Sequence, residues 1–125
     1  MSGLVLDAGA LIALERNERF VAILLARTLE HKQPVLVPAG VIGQVWRDGR
    51  RQPRLARLLS ARGLTIEPLD DHRARTAGQL CGVTKTADVI DASVVLAARA
   101  GKHTIVTSDP DDLARLDPRI PLIRV

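Results

Sequence analysis

Aromatic residues are nearly absent: the chain has one Phe, one Trp and no Tyr. That argues against gripping single-stranded nucleic acid by stacking successive bases on aromatic platforms. Cysteine is reduced to Cys81, so no intrachain disulfide can form, which suits a reducing cytosol. A lone Cys on an apolar helix face packs far more often than it reacts. No apolar run approaches the roughly 18 residues a membrane helix needs. The opening segment, Met1 to Asp7, turns acidic too early for a signal peptide. A soluble, cytoplasmic protein with no membrane partner is the expectation.

What is present is aliphatic and basic. The 125 residues are 46% hydrophobic, enough to bury the core of one domain spanning 1–125. That core must come from Leu, Val, Ile and Ala, a mix divided between β-branched strand formers and Leu/Ala helix formers. The net charge is +4, and all but three of the 18 basic residues are Arg. Arginine favours bidentate pairing with phosphate or carboxylate, although solvated helix faces would use the same residues.

The hydrophobic pattern alternates between two periods. Short strands are expected at Leu4–Leu6, within Pro34–Pro38, at Leu64–Pro68, His103–Thr107 and Leu122–Val125. Helices are expected between them: one from Ala8, one capped by Asn17, one over Ala39–Trp46, and one opened by Pro53 and stopped by Gly63. Three more follow: one capped by Asp70 or Asp71, with Gly82–Thr86 as a polar link, one over Asp88–Ala100 closed by Gly101, and one over Pro110–Leu116. Strands alternating with helices imply an α/β fold, a three-layer α/β/α sandwich around a mostly parallel sheet.

Four aspartates stand out against this frame. Asp7 follows the apolar Leu4-Val5-Leu6, and Asp109 follows Ile105-Val106-Thr107. Both would reach the carboxyl edge of a parallel sheet, where ligands bind. Asp88 and Asp91 are three apart at a helix start, so their directions differ by about 60° and can share a cleft. Asp88 reads equally well as an N-cap. Asp91 sits in an apolar helix and needs a partner if buried. Clustered carboxylates repel one another unless a cation balances them. Oxygen-only ligands suit Mg²⁺ or Mn²⁺ rather than Zn²⁺, and His31, His72 and His103 show no ligand spacing. Such an ion polarises a phosphate and activates water. In Thr107-Ser108-Asp109-Pro110-Asp111-Asp112, Ser108 and Asp112 are further candidates, placed behind the metal ligands. Asp111 and Asp112 could equally be ordinary first-turn acids.

At Leu4–Ile12, Asp88–Ala97 and Thr104–Leu113 the chain resembles the PIN-domain ribonucleases, and within them the VapC-type toxins of toxin–antitoxin pairs. The three motifs occur in family order and the likeness spans essentially the whole chain. The resemblance implies a Mg²⁺- or Mn²⁺-dependent endoribonuclease, a homodimer, and a VapB-type antitoxin that occupies the active site. Position by position, Asp7 matches the first family acid, Asp91 the third and Asp109 the fourth, with Asp88 an added acid. The second family acid is usually a Glu, and here the matching position is Gln44. An amide can hold a water or ligate through its carbonyl, but it brings no charge.

The run Arg47, Arg50, Arg51, Arg54 and Arg57 follows directly. It reads as a contact surface for RNA or for an acidic antitoxin, or as a solvated helix and loop. Two other functions stay open. One is a PIN-fold module with weakened catalysis that binds RNA or a protein through the Arg-rich face, a reading favoured by Gln44. The other is a DNA nuclease of the related flap type, for which the chain offers no helical clamp.

Overall fold

A computed structural model of the chain describes residues 2–125; Met1, the first residue of the segment read for a leader, lies outside them. Five strands form one sheet: β1 (Leu4–Leu6), β2 (Val35–Pro38), β3 (Leu64–Glu67), β4 (Thr104–Thr107) and β5 (Leu122–Arg124). Their order is β3-β2-β1-β4-β5, and every pairing is parallel. Every residue of β1 and β2 is buried, while the edge strands are partly exposed. Covering both faces of the central strands is what removes the period-2 alternation from their sequence.

Seven helices supply the cover: α1 (Ala8–Glu15), α2 (Arg19–Glu30), α3 (Ala39–Val45), α4 (Pro53–Leu59), α5 (Asp71–Thr84), α6 (Val89–Gly101) and α7 (Pro110–Leu116). Right-handed crossovers put α1–α4, which lead outward from β1 to β3, on one face. The chain then returns past β2 to β4, and α5–α7 cover the other face. Accordingly α1 packs on α2, α3 and α4, and α6 on α5 and α7. The winding reverses between β1 and β4, so the crevice at their carboxyl ends is the switch point of the fold. Asp7 and Asp109 flank it.

Helix ends differ from expectation at four places. Asn17 is not the cap of α2; it adopts a left-handed conformation (φ 59°) and donates its N–H to the Leu14 carbonyl, closing α1. Gly101 is the last residue of α6, and Lys102 (φ 55°) makes the left-handed turn after it. α5 runs through Gly82 to Thr84, with Lys85 (φ 58°) as its left-handed cap, so the link to α6 is shorter than the Gly82–Thr86 expected. α4 ends at Leu59, and Gly63 (φ 92°) turns the chain into β3 three residues after the Ser60 cap. Glycine and asparagine are the usual left-handed residues. Lysine in that role leaves no signal in the sequence.

Candidate functional site

Asp7 is the N-cap of α1. Its Oδ1 accepts the Ala10 N–H at 3.1 Å, and it is 7% exposed. Burial raises its pKa above the ordinary carboxylate value, against the lowering effect of the Thr107 hydroxyl and the first-turn N–H groups. The same Thr107 Oγ1 accepts the Asp109 N–H at 2.8 Å. Thr107 is fully buried and ties the end of β4 to the end of β1. Its neighbour Ser108, the hydroxyl expected from the sequence to lie behind the metal ligands, stands differently. Ser108 is exposed, and its Oγ lies 1.9 Å from the point a Cβ on Gly9 would occupy. Gly9 therefore lets the β4–α7 turn settle onto the start of α1.

Asp88 caps α6, its Oδ1 accepting the Asp91 N–H at 2.9 Å. Cap and ligand are thus compatible roles, because the second oxygen is left over. Asp91 is half-buried, and its pKa is raised to about 6, first by burial and then by Asp88, Asp7, Asp112 and Asp109 in that order. One carboxyl thus feels every acid nominated from the sequence. Asp109 is exposed, and its pKa is raised chiefly by a carboxyl–carboxyl hydrogen bond with Asp112. Asp112 also lies 3.7 Å from Arg115. Among the described residues Asp7, Asp88, Asp91 and Asp109 enter no ion pair, whereas Asp48, Asp71, Asp117, Glu15 and Glu67 each have an arginine partner.

Four carboxylates that enter no ion pair are a donor set suited to a hard divalent cation. Among the described residues no three His, Cys, Asp or Glu side chains already stand as a group able to hold a metal. Closing on an ion would need rotation of exposed carboxyls, and Asp88 and Asp109 are both exposed.

Gln44 is exposed on α3, one turn after Gly40, and Gly40 lies against Ile90 of α6. The amide therefore shares the face of α3 turned toward the start of α6. Of the arginine run, Arg54 pairs with Glu15, at the far end of α1 from Asp7. Eight residues of helical rise separate Glu15 from Asp7, about 12 Å. Arg47 bonds the Gly43 and Trp46 carbonyls, Arg51 pairs with Asp48, and Arg50 is exposed. None of the four pairs with an acid of the sheet's carboxyl edge.

Beside that edge lies a cleft of about 430 Å³ lined by Thr84, Lys85, Thr86, Asp88, Asp91, Asp112 and Arg115 among others. Lys85 and Arg115 were not singled out from the sequence. One follows a helix and the other lies within one, and neither belongs to a charge run. A larger cavity, about 600 Å³, lies between α5 and α6 over β2 and β3 and touches none of the four acids.

A doubly wound parallel sheet with unpaired carboxylates at its switch point defines an acid-edged α/β protein. The chain belongs to the PIN-domain family, whose model matches residues 4–118. Members of this family are commonly metal-dependent and typically nucleases. Solved structures agree in fold. One chain of VapBC2 from Rickettsia felis, bound to a DNA fragment from their promoter, superposes with a TM-score of 0.71 at 16% identity, covering 98% of both chains. A chain of FitAB bound to the IR36 DNA fragment gives 0.63 at 18%, covering 97% of this chain and 94% of that one. A chain of FitAcB from Neisseria gonorrhoeae gives 0.63 at 17%, covering 97% and 96%. A comparison of the sequence with curated proteins finds no match. Among the described residues no helix is long and apolar enough to cross a membrane.

Proposed function

We propose that the chain is a Mg²⁺- or Mn²⁺-dependent endoribonuclease, the cytoplasmic toxin of a VapBC-type pair, which hydrolyses RNA phosphodiester bonds. The observation that carries the reading is Asp91. Its pKa is raised to about 6 by burial and then by four neighbouring acids, so its ionised form costs stability unless a cation joins it. Asp7, Asp91 and Asp109 would hold the ion, with Asp88 assisting and Gln44, Ser108 and Asp112 behind them. The bound ion supplies charge neutralisation at the phosphate and activation of water.

The chain's own residues do the positioning. Thr107 and the first-turn N–H groups of α1 fix the Asp7 carboxylate. The Asp88 cap sets the first turn of α6, and with it Asp91. Asp112 stands beside Asp109 and raises its pKa. A homodimer and a VapB-type antitoxin are the partners that the PIN kinship suggests, and the likeness to chains of the FitAB and VapBC2 complexes supports that pairing.

The test is cleavage of total cellular RNA by purified protein, with and without Mn²⁺, beside Asp7→Ala. Cleavage by the parent alone, and only with Mn²⁺, is expected; undiminished cleavage by Asp7→Ala sinks the proposal. One observation favours a binding module with weakened catalysis: Gln44 leaves the site one carboxylate short of the family set. Calorimetric titration with Mn²⁺ separates the two, since the module predicts no saturable binding in the millimolar range.

A further inference from the structure

All three lysines of the chain, Lys32, Lys85 and Lys102, stand in the left-handed conformation just after a helix (φ 57°, 58° and 55°). Lys32 and Lys102 precede β2 and β4 and so lie at the amino edge of the sheet. Lys85 alone follows α5 and lines the cleft beside Asp88 and Asp91. The backbone conformation is therefore not what distinguishes Lys85; its place is.

The hydroxyls of the cleft are already committed. Thr84 Oγ1 lies 2.8 Å from the Leu80 carbonyl and donates to it, which leaves Thr86 to donate to Thr84 across 3.1 Å. Lys85 is exposed and enters no ion pair among the described residues. Arg115 is held only loosely, 3.7 Å from Asp112 with a largely exposed side chain. These two are thus the cleft's cationic donors. They face three carboxylates, Asp88, Asp91 and Asp112, so an anionic strand is repelled until a divalent cation reverses the local sign.

We infer that Lys85 and Arg115 form a phosphate grip on the RNA strand next to the acidic edge, one that reads the backbone and not the bases. The inference rests on the proposed nuclease reading and names where its substrate lies. A volume of about 430 Å³ is within the range of small-ligand sites, about 300–1,000 Å³, which suits one nucleotide unit of a strand and not a duplex. No aromatic residue lines it, so base stacking adds nothing and the grip is electrostatic.

The test uses fluorescence anisotropy of labelled oligo-uridine and oligo-adenine strands over a salt series. The parent keeps all four aspartates, and Ca²⁺, a larger oxygen-seeking cation, replaces Mg²⁺ to suppress cleavage while balancing the acids. Lys85→Gly removes the cation while relieving the left-handed backbone, so loss of folding does not confuse the result. Lys32→Gly and Lys102→Gly make the same chemical change at the other edge. Lys85→Gly and Arg115→Gln are expected to weaken both strands several-fold and to lower the salt slope by about 0.7 each. The two controls are expected to bind as the parent does. Lys85→Gly indistinguishable from the controls overturns the inference, as does a parent that binds neither strand. Cleavage by the parent in Mn²⁺ is read separately. Its absence alongside an intact Lys85 effect removes the nuclease reading and keeps the grip; cleavage alongside an unaltered Lys85 variant does the reverse.

Discussion

Thr107 Oγ1 accepts the N–H of Asp109 at 2.8 Å while its hydroxyl serves the carboxylate of Asp7. One buried side chain thus sets the spacing of two acids that arrive from opposite ends of the sequence. Thr107→Val keeps the shape, removes the bond from Asp109 and takes the hydroxyl away from Asp7. A destabilisation of about 1–3 kcal/mol is expected, the usual cost of orphaning buried polar groups. RNA cleavage should fall further than stability explains. Chemical denaturation and turnover of the same variant check this, and unchanged turnover would show that Thr107 is only structural.

Asp91 gives the metal-free protein a defined pH response. Its pKa rises from 3.8 to about 6 on folding, so between those values the folded chain holds more protons than the unfolded one. Stability from this group therefore falls as pH rises through that window. Asp91→Asn should raise the melting temperature at pH 7 in chelator by a few degrees and have little effect near pH 4. Added Mn²⁺ should reverse the order, stabilising the parent more than the variant. Equal Mn²⁺ shifts in the two proteins would remove Asp91 from the ligand set.

Asp117 behaves oppositely. It is buried, and its pKa is lowered to about 2, first by the Arg119 N–H and then by the Arg99 and Arg119 guanidinium groups, against the effect of burial. Its contribution is complete above about pH 4 and is lost only as pH falls toward 2. Asp117→Ala is expected to cost about 2–3 kcal/mol at pH 7, because it removes charge-assisted bonds to two arginines and a backbone N–H. Urea unfolding at pH 7 and in strong acid measures both ends; an equal loss at both would contradict the assignment.

Gln44→Glu adds the missing carboxylate to the face of α3 turned toward α6. Tighter Mn²⁺ binding by calorimetry is expected, with faster RNA cleavage. In chelator the extra charge should lower the melting temperature slightly, by repulsion from the acids already present. Unaltered Mn²⁺ affinity would mean that α3 does not reach the ion.

The sheet was legible in the sequence because apolar runs such as Leu4-Val5-Leu6 and Pro34–Pro38 are too short for helices and are bounded by polar or proline residues. Asp7 and Asp109 were legible for the same reason: each breaks such a run at its carboxyl end. Thr107 was not, because β4 is covered on both faces and no alternation marks which hydroxyl points inward. Lys85 was hidden differently. A left-handed lysine leaves no compositional trace, and its proximity to Asp91 depends on how α5 and α6 meet. The arginine run, by contrast, was conspicuous in the sequence, and one member, Arg54, is tied to Glu15 at the far end of α1.

The pairing of β1 with β4 sets a timetable for synthesis. Leu4 lies beside Thr104, and the Gly3 N–H closes on His103, 100 residues later. Contacts this distant are formed late and make folding slow. On a ribosome adding residues in order, Asp7 is made well before Thr107 and Asp109, its companions at the acidic edge. A nascent chain therefore carries half a site while everything between β1 and β4 is being added. Assembly of the acidic edge waits on β4, and with it any activity that edge supports.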